Sequence, residues 1–332
     1  MGQPASSADD ALLELLRRVS RSFFLSVWLL PAGLRRPVAV GYLLARASDT
    51  LADAPGIEPA ERARQLDEYA QAIAHGRPFD PGGPAHVDDE GERALLLALP
   101  GWRTWMDALG AADQDDVRAV LAHITRGQRL DVERFGQATG AQPVALASAA
   151  QLEEYTYLVA GCVGEFWTRL GFRHLPRYAE RPMADMLALG RRYGMALQLV
   201  NILRDLGADL AGGRCYLPAD ELAAAGLAPA TLLAEPRRLQ PVCAPWRARA
   251  QSGLEDGLAY SLAVRSRRIR AASALPALLG TRTLALLRDA GALSLERKVK
   301  VPRAQVRRVL WQMMLSLAGR SALQRQFEGL RG

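Results

Sequence analysis

The chain has 332 residues, a formal charge of +7 from 42 Lys and Arg against 35 Asp and Glu, and 49% hydrophobic residues. That apolar content argues against wholesale disorder, and three widely spaced cysteines, Cys162, Cys215 and Cys243, argue against a disulfide scaffold or a thiolate zinc site. The positive balance points to an anionic partner: nucleic acid, a phosphorylated small molecule or an acidic membrane surface.

Residues 1–10 are polar and the next apolar stretch is amphipathic, so no signal peptide is read there. No run of 18 uncharged apolar residues occurs, so no spanning helix is expected. The expectation is a soluble protein of a reducing cytoplasm. Apolar residues at spacings of three and four predict helices over 9–19, 37–54, 59–75, 113–135, 144–170, 182–210, 241–262, 269–279 and 302–323. Alternating β-branched runs are nearly absent, so strands are not expected. Residues 76–84 (GRPFDPGGP) read as a loop, 211–218 (AGGRCYLP) as the end of a long helix, and 235–245, with three prolines, as a connection. None is long enough to link domains. The pattern implies one all-α domain over 1–332, a bundle of long helices.

Two acidic constellations carry chemistry. Asp49 and Asp53 stand at i and i+4 on one helix face, where like charges destabilise a helix by a few tenths of a kcal/mol unless something cationic compensates. A solvated acidic pair near a helix end is the plain alternative. Asn201, Asp205 and Asp209 form a second stripe at i, i+4 and i+8, with Gln198 one turn earlier, on a helix apolar enough to be buried. Carboxylates on such a helix are costly if unpaired. Mg²⁺ commonly takes one or two carboxylates while phosphate oxygens complete its octahedron. A polar face on a surface helix is the alternative. Two such faces on separate helices can oppose each other across a cavity and clamp a diphosphate, turning it into a good leaving group while apolar walls shelter the cation formed.

Arg46, Arg204 and Arg214 adjoin these motifs, and Ser20, Arg21 and Ser22 sit at a helix break. Arginine suits bidentate phosphate binding; with 40 arginines in the chain, an ordinary surface residue is the alternative for each taken singly. In the stretch 155–164 (YTYLVAGCVG) small residues permit close helix packing or a kink, and Tyr155 offers a hydroxyl or a π face to a carbocation; core packing is the alternative.

These motifs, in this order, resemble the squalene/phytoene synthase family of head-to-head prenyl transferases. The matching pieces are SRSF at 20–23, YLLARASDTLAD at 42–53, EYTYLVAGCVG at 154–164 and QLVNILRDLGADLAGGRCYLP at 198–218. The resemblance implies an all-α isoprenoid synthase bundle around a central cavity. It implies condensation of two prenyl diphosphates through a cyclopropyl diphosphate, with Mg²⁺. It makes Asp49 and Asp53 the first metal motif and Asn201, Asp205 and Asp209 the second. Arg21, Arg46, Arg204 and Arg214 would hold diphosphate beside Ser20 and Ser22. Tyr42, Tyr155 and Gln198 match polar pocket positions, Tyr155 being the candidate for proton transfer.

Within the family, Ala274-Leu275-Pro276 and Val299-Lys300-Val301 resemble squalene synthase segments, the second being where the phosphates of NADPH are met. This favours a bacterial squalene synthase acting on two farnesyl diphosphates, with Lys300 as the cofactor-binding residue. Ala272 stands where squalene synthases carry Phe, Pro302 replaces a basic residue, and RDLGAD, CYLP and Gly127-Gln128-Arg129-Leu130-Asp131 read more like phytoene synthase. Phytoene or dehydrosqualene synthesis without reduction is thus the near alternative. An all-α Mg²⁺-dependent nucleotide pyrophosphohydrolase is a more distant one, disfavoured by the lack of an ExxE cluster. A non-catalytic basic helical protein has residues 265–270 (RSRRIR) as its best support. No aromatic-interleaved basic stripe marks a nucleic-acid platform, so no nucleic acid is expected. A water-insoluble product would favour peripheral contact at the inner membrane surface; oligomeric state is not legible.

Overall fold

Ala, Leu and Arg, all good helix formers, dominate the chain, and the structure follows them. The computed structural model describes residues 7–20, 23–83 and 87–332. Its helices group into two compact units, residues 1–136 with 169–176 and residues 137–168 with 177–332.

The first unit contains α1 (Ser7–Val19), α2 (Phe23–Trp28), α3 (Ala32–Ala52), α4 (Pro59–His75), α5 (Glu90–Ala98), α6 (Trp102–Asp107) and α7 (Ala111–Phe135). At its centre α3 packs against α4 and α7, burying Leu34, Val38, Leu43, Leu44, Ala47 and Leu51. The buried Tyr69 hydroxyl of α4 donates to the Leu44 carbonyl at 2.9 Å, satisfying a group that burial would otherwise leave unpaired.

The second unit begins with strand β1 (Val144–Leu146), then α8 (Ala149–Thr156), a π-helical segment over Tyr157–Gly161, and the start of α9 (Cys162–His174). The last turns of α9 belong to the first unit, where Arg173 and His174 reach the buried Asp113 of α7 at 2.8 and 2.9 Å. The second unit continues with α10 (Met183–Ala211), β2 (Arg214–Pro218), α11 (Ala219–Ala224), α12 (Pro236–Ala263), α13 (Arg267–Ala290), α14 (Arg303–Leu315) and α15 (Arg320–Leu330). Here α10 packs against α12, α13 and the π-helical segment. The crossing is close because Gly164 meets Gly190: a Cβ on Gly164 would lie 1.9 Å from the Gly190 carbonyl oxygen.

Several sequence expectations are corrected. β1 and β2 pair in parallel, with Val144 opposite Arg214, so a small sheet exists where none was expected and the helix expected from 144 starts at Ala149. The reason is local: once Gly213 turns the chain, two short stretches satisfy each other's backbone groups without long β-branched runs. The starts expected at Pro37 and Pro241 lie inside α3 and α12, and α13 runs through Pro276 to Ala290. A proline inside a helix costs about 3 kcal/mol, which the burial of these long helices offsets. The helix expected over 302–323 is two helices parted at Leu317 and Ala318, both with positive φ. In RSRRIR, Arg270 is buried, donating to the carbonyls of Val264 and Ala318 at 2.7 and 3.2 Å, so one of the four arginines of that run serves the fold and does not face an anionic partner. The three thiols are buried and form no disulfide. Among the described residues no helix is long and apolar enough to cross a membrane.

Candidate active site

In the first unit, α3 presents Tyr42, Arg46 and Asp49 at spacings of four and three, which places them on one face. Arg46 makes an ion pair with Glu92 of α5 and lies 3.7 Å from an Asp49 oxygen. The Gln128 amide of α7 donates to the other Asp49 oxygen at 2.5 Å. Surrounding protein atoms desolvate the Asp49 carboxyl and push its pKa up to about 6, against the pull of Arg46 and Gln128 and with the push of Asp53 and Glu92. Its side chain nevertheless keeps 47% of its surface, so water or a cation can reach it. Asp53 caps α3, its N–H bonded to the Asp49 carbonyl, and is exposed. Ser20 is buried, and burial raises the Tyr42 phenol above its ordinary range against the Arg46 guanidinium and the Ser20 hydroxyl. Phe23 stacks on Tyr42 at 4.8 Å. Arg21 and Ser22 lie outside the described residues.

In the second unit, α10 carries Gln198, Asn201, Arg204, Asp205 and Asp209 while burying Leu199, Ile202, Leu203, Leu206 and Leu210 on its other faces. The amphipathic split leaves one partly exposed stripe of oxygen donors. The Asn201 amide donates to Gln198 at 3.3 Å. Asp205 accepts two bonds from the Arg204 guanidinium, at 2.5 and 3.2 Å, and one oxygen lies 3.2 Å from the Lys298 ammonium. Burial by itself would raise the Asp205 pKa; Arg204 and Lys298 outweigh it and hold the carboxyl below its ordinary value. Past the end of α10, Gly213 adopts φ of 92°, a conformation that favours glycine, and its Cβ would strike the Thr139 backbone at 2.5 Å. That turn brings Arg214 back to Asp209, 3.4 Å away.

Tyr155, at the end of α8, is buried and stacks on Tyr216 of β2, with ring centres 4.9 Å apart and hydroxyls 3.5 Å apart. The π-helical segment follows it directly; such segments recur at functional sites. Lys300 is exposed, two residues beyond Lys298.

The structure thus gathers Tyr42, Arg46 and Asp49 in one unit, and Arg204 with Asp205 and Asp209 with Arg214 in the other. Glu92, Gln128, Lys298 and Tyr216 are additions that residue patterns had not singled out. Gln128 and Tyr216 do lie in motifs noted for their resemblance, while Glu92 and Lys298 carried no local signal. Among the described residues no three His, Cys, Asp or Glu side chains cluster tightly enough to hold a metal by themselves. Each unit instead offers oxygen donors from side chains one turn apart, without His or thiolate. That donor set fits a hard cation whose remaining positions a substrate's phosphates would fill.

A family model described as squalene/phytoene synthase matches residues 16–305. The phytoene synthase of Thermus thermophilus is 31% identical over 229 residues, 68% of this chain and 65% of that enzyme. A bifunctional lycopene cyclase/phytoene synthase of Arthroderma gypseum is 30% identical over 225 residues, 67% of this chain. The chain spans only 36% of that bifunctional protein and just under two thirds of the Thermus one. Among solved structures, TcSQS in complex with the ligand BPH1237 has a TM-score of 0.81 at 21% identity, covering 97% of this chain and 89% of that one. A dehydrosqualene synthase in complex with a ligand has a TM-score of 0.64 at 25% identity, covering 93% and 95%. The all-α fold is the one these structures share.

Proposed function

The chain belongs to the squalene/phytoene synthase family, and from that premise we propose that it joins two prenyl diphosphates head to head through a cyclopropyl diphosphate. The observation that carries this reading is the α10 stripe, where Asp205 and Asp209 alternate with guanidiniums that can take up phosphate oxygens. Mg²⁺, held by Asp49 and Asp53 in one unit and by Asn201, Asp205 and Asp209 in the other, would supply charge neutralisation of the departing diphosphates. Arg46, Arg204 and Arg214 then have a second role. Each now pairs with a carboxylate, and each can turn to a diphosphate when cations take over those carboxylates. Arg21, Ser20 and Ser22 join this binding set by resemblance. Tyr42 beside Arg46 in one unit, and Gln198 beside Asn201 in the other, would add polar contacts.

Closing the cyclopropane releases one proton from carbon. The Tyr155 hydroxyl, held by its stack on Tyr216, is the group assigned to receive and pass it on. Product identity is the finer proposal: two farnesyl diphosphates to squalene, with NADPH supplying a hydride when bound. Its support is the segment 299–301, whose Lys300 is exposed for phosphate binding and which directly follows Lys298, the partner of Asp205. A second reading, phytoene or dehydrosqualene synthesis without reduction, is favoured by the sequence relatives near 30% identity, which are phytoene synthases or bifunctional proteins containing one.

The test is product analysis by mass spectrometry after incubation with farnesyl or geranylgeranyl diphosphate, each with and without NADPH. Squalene formed only with NADPH is expected. Identical products in both arms would overturn the reductive assignment. Hydrolysis of nucleoside triphosphates without any prenyl product would overturn the whole reading.

A further inference from the structure

The last helices of the second unit carry a feature that the reaction does not use. From 301 to 327 the chain holds five Arg and no Asp or Glu, so the stretch has a single sign of charge, and Arg320 among them pairs with Glu180 outside it. Within it α14 turns Val309 and Met313 inward, and the opposite face carries Trp311 and Leu315, exposed to 59% and 77%. Met314 and Leu317 beside them are 55% and 62% exposed. Arg303, Arg307 and Arg308 flank this apolar strip and are exposed as well. Large apolar side chains grouped on a surface mark an interaction site, whereas single ones need no explanation.

The turn after α14 adds an independent observation. Leu317 and Ala318 both have positive φ, 51° and 50°, a region that non-glycine residues rarely adopt. Buried Arg270 holds this turn from beneath, donating to the Ala318 carbonyl at 3.2 Å. Ala318 is thereby buried while Leu317 is held outward. A strained backbone fixed by a buried guanidinium, presenting an exposed leucine, is a built protrusion.

We propose that α14 and the Leu317 turn form a docking surface for a bilayer containing anionic phospholipid, with Trp311, Leu315 and Leu317 entering the headgroup–acyl boundary and the arginines meeting lipid phosphates. Charge selects this occupant. A second copy would set the same acid-free stretch against itself, and like charges facing across an interface oppose association. An anionic leaflet complements it, and Trp and Leu beside Arg on one face is the pattern of an interfacial helix. Exposure, charge and backbone geometry define this surface independently of the prenyl transfer.

The test is co-sedimentation of the full chain, without substrate, with vesicles of phosphatidylcholine alone or with phosphatidylglycerol added. Binding is expected to the mixed vesicles, to weaken strongly as salt rises from about 0.1 M to about 0.5 M, and to be slight on pure phosphatidylcholine. Each cationic side chain near an anionic surface strengthens partition about fivefold. Arg307→Glu with Arg308→Glu should therefore weaken binding by at least about 25-fold. Trp311→Ser with Leu315→Ser should weaken it by on the order of tenfold or more. Both pairs lie on the outward face, and unchanged far-UV circular dichroism and melting temperature will verify the fold. Failure of the wild-type chain to pellet with phosphatidylglycerol vesicles would overturn the proposal. So would wild-type binding by both double variants. A concentration-dependent dimer that Trp311→Ser with Leu315→Ser converts to monomer, with vesicle binding unchanged, would assign the surface to self-association instead.

Discussion

Replacing Gly164 by alanine probes the close crossing of α9 and α10. A Cβ there would lie 1.9 Å from the Gly190 carbonyl oxygen and 2.4 Å from its carbon, while ordinary contact begins at 3.4 Å. The atoms struck are backbone, so the helices themselves must part by the difference, 1.5 Å. Overpacking of a dense core costs about 1–3 kcal/mol, and an unyielding backbone partner places this case near 3. Alanine regains about 1 kcal/mol of helix propensity, leaving a net loss of about 2 kcal/mol. For a unit of this size each kcal/mol shifts the melting temperature by about 2–4 °C, so Gly164→Ala should melt about 4–8 °C lower. Gly161→Ala is the internal control. Its Cβ would meet Met195 Cγ at 2.9 Å and Tyr157 Cδ2 at 3.0 Å, and the Arg191 carbonyl oxygen only at 3.4 Å, so side chains and not helix backbones must shift. Its melting temperature should stay within about 2 °C of wild type. Thermal melts followed by far-UV circular dichroism measure both. If Gly164→Ala melts at or above the wild-type temperature, the backbone contact and the packing argument built on it are wrong.

Asp49 has a folded-state pKa raised to about 6, so the folded chain holds this proton more tightly than the unfolded one. The group's cost in stability therefore grows from the ordinary carboxylate value up to about pH 6, is full above that, and is absent below the ordinary value. Asp49→Asn should stabilise the metal-free protein at pH 7.5 by about 1 kcal/mol, the shift being discounted for the accessible side chain, and not at pH 3.5; equal stabilisation at both pH values in denaturant titrations would refute the sign. The same variant should lose prenyl transfer by on the order of a hundredfold or more in a steady-state assay. Tyr155→Phe should lower turnover by about 10²-fold or more, whereas Tyr216→Phe, which keeps the ring stack, should lower it by about tenfold with the melting temperature unchanged. Lys300→Ala should raise the KM for NADPH about tenfold and leave consumption of prenyl diphosphate intact, with the cyclopropyl diphosphate accumulating; an unchanged KM would remove Lys300 from the cofactor site.

The helical fold and both acidic motifs were readable in the chain because they rest on short-range spacing. Apolar residues three and four apart declare a helix, and Asp49 with Asp53, or Asp205 with Asp209, declare a shared face whatever the helix packs against. Turn chemistry was also legible where glycine demanded it, as at Gly213. The electrostatic partners were not. Arg46 meets Glu92 across 46 residues, Asp49 meets Gln128 across 79, and Tyr155 meets Tyr216 across 61. Such pairs leave no periodic trace, because the distance between their side chains is set by how helices stack. Prolines misled for the same reason: taken alone, Pro37 and Pro241 open helices, and only the burial of α3 and α12 offsets the hydrogen bonds they forfeit. The break at Leu317 was invisible too, since no residue there prefers positive φ and the buried Arg270 that holds the turn lies 48 residues upstream of Ala318. Local covalent and conformational preferences thus determined which helices form and which donors each displays. Long-range packing decided which charges neutralise one another, and which apolar side chains stay in water.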